Sequence, residues 1–222
     1  MNKYIVVAGN IGVGKSTLVQ LLCQRLGWDP FFEPVTENPY LADFYQNMNT
    51  WSFHSQVFFL AHRLQIQHSI IKHSGSVIQD RSLYEDAEIF ARNLFLQGNL
   101  SQRDYDTYRA LYQALIEFLP PPDLVIYLSA SVPTLMQRIS QRNRTYEQSI
   151  PEEYLKRLNQ LYCDWIDTFT QCPVLTVPAD HLDYVAHSRH FDLIVEKVQE
   201  KLTGKDIVSF NADELAQITP EI

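Results

Sequence analysis

The feature that most restricts this chain is the octapeptide Gly9-Asn10-Ile11-Gly12-Val13-Gly14-Lys15-Ser16, a complete G-x-x-x-x-G-K-S. Ahead of it, Tyr4-Ile5-Val6-Val7-Ala8 is a short apolar run suited to a buried strand. Behind it, Thr17 to Leu26 carries apolar residues at helical spacing, and Gly27 is placed to cap the helix end. A glycine-rich loop between a strand and a helix is the setting in which this pattern binds phosphate. Backbone N–H groups from Gly9 to Thr17 can converge on phosphate oxygens at a helix N-terminus, where the helix dipole also favours negative charge. Lys15 would bridge the β- and γ-phosphates, and the Ser16 hydroxyl would hold Mg²⁺. The expectation is a chain that binds a nucleoside triphosphate.

The 222 residues are enough for one α/β domain with a small appendage. A net charge of −8 argues against a nucleic acid as partner, because phosphate backbones need a basic face. Cys23, Cys163 and Cys172 are odd in number and form no C-x-x-C, which argues against a disulfide framework or a zinc site. The histidines show no metal-binding spacing, and His181, His187 and His190 read as surface residues. The first strand begins by residue 4, leaving no room for a signal or transit peptide, and no apolar run approaches the length of a membrane span. These features lead us to expect a cytoplasmic protein with no membrane partner.

Apolar strand-like runs recur between longer helical patterns, at Tyr4–Ala8, Pro30–Glu33, Ser76–Gln79, Leu124–Leu128 and Val174–Val177. That alternation predicts a five-stranded parallel sheet covered on both faces by helices. Ser101 is placed as an N-cap, with Asp104 at N3, for a helix reaching about Leu119, and Pro120-Pro121-Pro122 ends it. A helix is expected from about Val132 to Arg142, capped by Ser131. Another starts at Ser149 and Pro151, with Glu152 and Glu153 in its first turn, and runs to about Thr170. The polar connector at 142–150 carries Arg142 and Arg144, and a last helix ends near Gly204. The domain is thus expected over 1–204, and the tail 205–222 shows no chemistry.

In an open parallel sheet, ligands gather beyond the C-terminal strand ends, so the residues there matter most. Glu33 stands at the end of the second expected strand, where it could accept a proton from an attacking hydroxyl or be an ordinary turn carboxylate. Asp80-Arg81-Ser82 follows the third, where Asp80 could serve Mg²⁺ and Arg81 could pair with Glu33 or form a structural ion pair. Arg138, Arg142 and Arg144 could close over phosphates as a lid, or could only complement a helix dipole. Gln56 and Arg63 are seven apart on one helical face with Phe59 between, a pattern that serves base recognition or core packing.

Taken together, these motifs resemble the deoxynucleoside kinases related to deoxycytidine and deoxyguanosine kinases, over residues 4 to about 200. The resemblance is carried by the phosphate loop, Glu33-Pro34-Val35, Asn38-Pro39-Tyr40, Trp51 with Gln56, Asp80-Arg81-Ser82-Leu83-Tyr84-Glu85-Asp86, and Arg138-x-x-x-Arg142-x-Arg144-x-x-Glu147. It implies a P-loop kinase fold with a short arginine-bearing lid at about 142–150, using Mg²⁺ and ATP. It implies that Glu33 is the base for the 5′-hydroxyl and that Arg81 holds the same oxygen. Gln56 would read the base edge among Leu41, Trp51, Phe59 and Phe90. Tyr45 and Glu147 would hold the 3′-hydroxyl, and Arg63 with Asp86 would face the exocyclic group. The stretch from Asp180 to Tyr184 resembles the family's adenine loop. Asp80 stands where animal members have Glu, which keeps the charge but shortens the reach.

The resemblance also implies a homodimer through helices near 40–73 and 84–119. Deoxyadenosine is the expected first substrate, with deoxycytidine or deoxyguanosine second. Two rival readings are a nucleoside monophosphate kinase of the thymidylate kinase type and a non-catalytic subunit with a kinase-like fold. Glu33 would repel the phosphate of a monophosphate acceptor, and the joint presence of Lys15, Glu33, Asp80 and Arg81 argues against a scaffold. A signalling GTPase is disfavoured because N-K-x-D is missing.

Overall fold

The computed structural model describes residues 2–32, 38–142, 150–205 and 208–218. Five strands, β1 (Tyr4–Gly9), β2 (Asp29–Phe31), β3 (Val77–Asp80), β4 (Leu124–Ser129) and β5 (Val174–Pro178), form one sheet in the order β2-β3-β1-β4-β5. All four pairings are parallel. Side-chain alternation along β1 divides the core in two. Ile5 and Val7 pack with Leu18, Leu22, Ile126 and Leu128 on one face. Val6 and Ala8 pack with Val125, Ala87, Tyr162 and Trp165 on the other. With both faces covered, the central strands read as unbroken apolar runs, which is why they were visible in the sequence.

All five expected strands form. β2 begins one residue early, and the Glu33 end of its expected span lies outside the described residues. β3 reaches one residue further than expected, so Asp80 is its last residue and pairs with Val7 of β1.

The helices α1 (Lys15–Leu26), α2 (Leu41–Gln46) and α3 (Met48–Lys72) come first. A continuous helical stretch follows β3: α4 (Leu83–Glu85), a π-helical segment (Asp86–Ala91) and α5 (Arg92–Leu96). The expected helix after Ser101 is α6 (Gln102–Ile116), with the Ser101 hydroxyl accepting from Asp104 N–H at 3.1 Å. It stops three residues short of Leu119, ahead of the three prolines. Then come α7 (Val132–Arg142), α8 (Glu152–Thr168) and α9 (Ser188–Leu202).

One feature departs from the sequence reading. His190 is buried rather than exposed, because its Nδ1 accepts from the Asp183 backbone N–H at 2.9 Å. The tail forms α10 (Ala212–Ile218), whose Glu214 pairs with Lys197 of α9 at 2.6 Å while Phe210 and Leu215 rest on the core. Among the described residues, no helix is long and apolar enough to cross a membrane.

Candidate active site

The sheet order places β1 between β3 and β4, so the loop leaving β1 opens at the point where the strand order reverses. Gly9 ends β1 so close to β4 that a Cβ would lie 2.7 Å from the Leu128 carbonyl oxygen. Gly14 caps α1 with φ of 109°, a conformation that L side chains rarely adopt. Lys15 is buried and folds back over the loop, donating to the carbonyls of Gly9 at 2.9 Å and Asn10 at 3.0 Å. The Asn10 side chain braces the loop from outside, donating to Leu155 O at 3.0 Å and Asn159 Oδ1 at 2.7 Å on α8.

Next to this loop stands the turn after β3. Asp80 Oδ2 accepts the Ser16 hydroxyl at 2.5 Å, whereas Oδ1 is buried with no hydrogen-bond partner. Arg81 turns the chain out of the strand with φ of 65°, held by its own N–H to Val7 O at 3.0 Å. Its guanidinium lies 4.4 Å from the centre of the Phe90 ring and donates to the Tyr162 hydroxyl at 3.1 Å. That stacking brings two of the expected substrate-site residues, Arg81 and Phe90, together.

The buried stripe of α3 is unusually polar. Ser52, Gln56, Arg63 and Gln67 recur along it at helical spacing, all nearly inaccessible to solvent. The Gln56 Oε1 has no hydrogen-bond partner. Arg63 grips Asp86 through two bonds, Nε to Oδ2 at 2.9 Å and NH2 to Oδ1 at 3.3 Å. It also donates from NH1 to the carbonyl of Arg81 at 3.0 Å. One guanidinium therefore links α3, the turn after β3 and the start of the π-helical segment. The exposed arginine–carboxylate pairs of most surfaces contribute little, but a buried bidentate pair fixes geometry.

Above this stripe, Asn38 connects α2 to α3 by donating to Ser55 Oγ at 3.0 Å and accepting from Tyr40 N–H at 2.9 Å. The Tyr40 ring stacks on Trp51 with centroids 5.7 Å apart. Leu41, Tyr45, Trp51 and Phe59 are all half-buried here, and the first three pack against the core on the face of the sheet that holds Val6 and Ala8.

Beyond β5 the structure gives specific employment to residues expected around the phosphate donor. Arg138 donates to Val13 O at 2.8 Å and Ala179 O at 2.9 Å, bridging the phosphate loop to the end of β5. Asp180 accepts from Ser131 N–H at 2.8 Å at the head of α7. Burial raises its carboxyl, but hydrogen bonds from Thr134 and Ser131 outweigh that and hold it below the ordinary value. Tyr184 donates to Gly14 O at 3.1 Å, and burial pushes its hydroxyl up to about 12. Arg142 is exposed at the end of α7. Glu33, Arg144 and Glu147 lie outside the described residues, as does most of the expected lid.

Sequence reasoning passed over Glu85 and Tyr162. Glu85 is fully buried, accepting from Gly9 N–H at 3.2 Å and Ser82 N–H at 2.9 Å, and it lies 2.8 Å from the Tyr162 hydroxyl. The one available signal was position: Glu85 stands one helical turn after Arg81, within a motif already of interest.

A phosphate loop beside an acidic strand end, facing a polar helix stripe that can read a planar group, defines a nucleotide-dependent kinase of the P-loop class. The Deoxynucleoside kinase family profile matches residues 5–203. Deoxyadenosine/deoxycytidine kinase of Bacillus subtilis is 39% identical over 89% of this chain and 92% of its own length. Deoxyguanosine kinase of the same organism is 35% identical over 89% and 96%. The structure of deoxyadenosine kinase from M. mycoides with products dCMP and a flexible dCDP bound superposes with a TM-score of 0.80 at 33% identity, covering 89% of this chain and 99% of that one. The chain belongs to the deoxynucleoside kinase family, and it is an enzyme that phosphorylates deoxynucleosides. Both rival readings, a monophosphate kinase and a non-catalytic subunit, are thereby set aside.

Proposed function

We propose that this enzyme transfers the γ-phosphoryl group of ATP to the 5′-hydroxyl of deoxyadenosine, with deoxycytidine or deoxyguanosine as secondary substrates. The observation that carries the base preference is the buried, bidentate Arg63–Asp86 pair on the face of α3 that also bears Gln56. A carboxylate accepts from an exocyclic amino group, and a carboxamide pairs with a base edge. The relatives' names point the same way, since they include deoxyadenosine/deoxycytidine and deoxyguanosine kinases.

In this reading Glu33 takes the 5′-hydroxyl proton and Arg81 steadies the oxygen as it attacks. Lys15 leaves the loop carbonyls for the phosphates. Tyr45 and Glu147 hold the 3′-hydroxyl, and Arg138, Arg142 and Arg144 supply positive charge over the transferring group. Asp180 and Tyr184 border the donor's base. The residues present fit Mg²⁺: Ser16 Oγ and Asp80 are hard oxygen donors, and Asp80 Oδ1 is buried without a partner. Bound there, the ion would neutralise phosphate charge.

A homodimer through α3 and α6 is part of the same reading. It is supported by the exposed apolar residues Leu64, Ile71, Leu111 and Phe118 on and just after these two packed helices. The direct test is product formation from Mg-ATP with each of the four deoxynucleosides and their monophosphates. Deoxyadenosine is expected to give the highest kcat/KM and the monophosphates no turnover. A thymidine-preferring enzyme would reject the base assignment.

A further inference from the structure

One buried carboxyl connects the two halves of the site, and none of the roles above uses it. Glu85 has no exposed surface, and its two oxygens serve different parts of the fold. Oε1 accepts from the Gly9 N–H at the end of β1, while Oε2 accepts from the Ser82 N–H in the turn after β3. Arg81 NH1 lies 3.7 Å from Oε1 and donates to the Tyr162 hydroxyl, which comes from α8. That hydroxyl is 2.8 Å from Glu85 Oε1 and 2.8 Å from the Gly9 carbonyl.

Counting protons shows why a carboxylate is needed. The Tyr162 hydroxyl has one proton, and it accepts from Arg81, so it can donate to Glu85 or to Gly9 O but not fully to both. Lys15 also donates to Gly9 O at 2.9 Å, which leaves the Tyr162 proton for Glu85. Once Lys15 turns to phosphate, rotation of the hydroxyl can satisfy Gly9 O, and Glu85 keeps two backbone donors and the Arg81 charge. A carboxamide in its place would turn an NH₂ donor against either the Gly9 or the Ser82 N–H. Burial pushes the Glu85 carboxyl up from its ordinary value, against the opposing pull of Arg81, Lys15, the Tyr162 hydroxyl and the Ser82 N–H.

We propose that Glu85 is a positioning residue for phosphoryl transfer: with the Tyr162 hydroxyl, it holds the Arg81 guanidinium at a fixed distance from the phosphate-binding loop. Phe90 limits the same guanidinium from its face, and the edge contacts to Glu85 and Tyr162 restrain where it points. The inference rests on the proposed place of Arg81 at the acceptor oxygen.

The test is steady-state kinetics at saturating Mg-ATP and deoxynucleoside on Glu85→Gln, Tyr162→Phe, Arg81→Lys and the double variant Glu85→Gln/Arg81→Lys, each checked by thermal unfolding. Glu85→Gln should lower kcat by about 10- to 100-fold, the scale of a misplaced catalytic group, with both KM values changed less than about 3-fold. Tyr162→Phe should act in the same direction by less. In the Arg81→Lys background, Glu85→Gln should add almost nothing, because its effect passes through the arginine. Wild-type kcat in folded Glu85→Gln, or an equal loss in both backgrounds, would overturn the inference. If Glu85→Gln does not fold, Tyr162→Phe with and without Arg81→Lys gives the same comparison and is decided the same way. An Arg81→Lys enzyme with wild-type kcat would instead overturn the reading of Arg81 itself, and the inference with it.

Discussion

The Ser16 hydroxyl meets the Asp80 carboxylate at 2.5 Å, joining the first turn of α1 to the C-terminal end of β3. Oδ1 of the same carboxylate is buried with no hydrogen-bond partner. A carboxylate oxygen left so in a dry site costs free energy unless a ligand uses it. Asp80→Asn should therefore cost more activity than stability. We expect kcat to fall about 100-fold or more at ordinary Mg²⁺, with partial recovery as Mg²⁺ is raised at fixed ATP. The melting temperature should stay the same or rise, since the variant removes a buried charge. A variant whose Mg²⁺ dependence matches wild type would remove Asp80 from the metal site.

Lys15→Ala should abolish phosphoryl transfer. The lysine's hydrogen bonds to Gly9 O and Asn10 O mean that its loss also loosens the loop, by about 1–3 kcal/mol for hydrogen bonds made by a charged group. The measurement is a kinase assay beside thermal denaturation. A folded variant that still phosphorylates deoxynucleosides would sink the mechanism.

Glu33→Gln should reduce kcat by about 10²–10⁴-fold, the usual scale of a lost general base, with KM less affected. The motivation is its sequence position, two residues after the last residue of β2, a strand of the same parallel sheet as β1. Near wild-type turnover by the variant would reassign the base.

Much of this could be read from the residues because the signals are local. A phosphate loop is a backbone device written in adjacent glycines, and strands buried on both faces are unbroken apolar runs such as Ile5-Val6-Val7-Ala8. What stayed hidden depends on neighbours remote in sequence. Glu85 reads locally as a first-turn acid behind Ser82, and only the approach of β1 and α8 makes it a junction. Tyr162 reads as one more aromatic on the apolar face of α8. Arg138 stands at a spacing that predicts its helical position, but nothing in that spacing says its guanidinium will grip Val13 O and Ala179 O. The π-helical segment Asp86–Ala91 is likewise invisible to a 3.6-residue period, although it begins at the partner of Arg63.

The Arg63–Asp86 pair bears on which base the enzyme accepts. Asp86, when ionised, offers only acceptors and Arg63 only donors, and their bidentate contact holds that pattern rigidly. An acceptor suits the exocyclic amino group of adenine or cytosine. Thymine presents a carbonyl and a methyl group instead, so it should be poorest. Guanine can turn its carbonyl towards Arg63 and should be intermediate. Because Arg63 also holds the Arg81 carbonyl, Asp86→Ala would take a carboxylate partner from a buried guanidinium and disturb the turn after β3 as well. Asp86→Asn is the cleaner probe, since it keeps one acceptor oxygen and the side-chain volume while removing the charge. We expect it to fold with a lowered melting temperature and to lose about 10- to 100-fold in kcat/KM for deoxyadenosine relative to deoxyguanosine, because a polar group built for an amino partner is then mismatched. The comparison is kcat/KM for all four deoxynucleosides in wild type and variant. An unchanged order of preference in Asp86→Asn would make the Arg63–Asp86 pair purely structural.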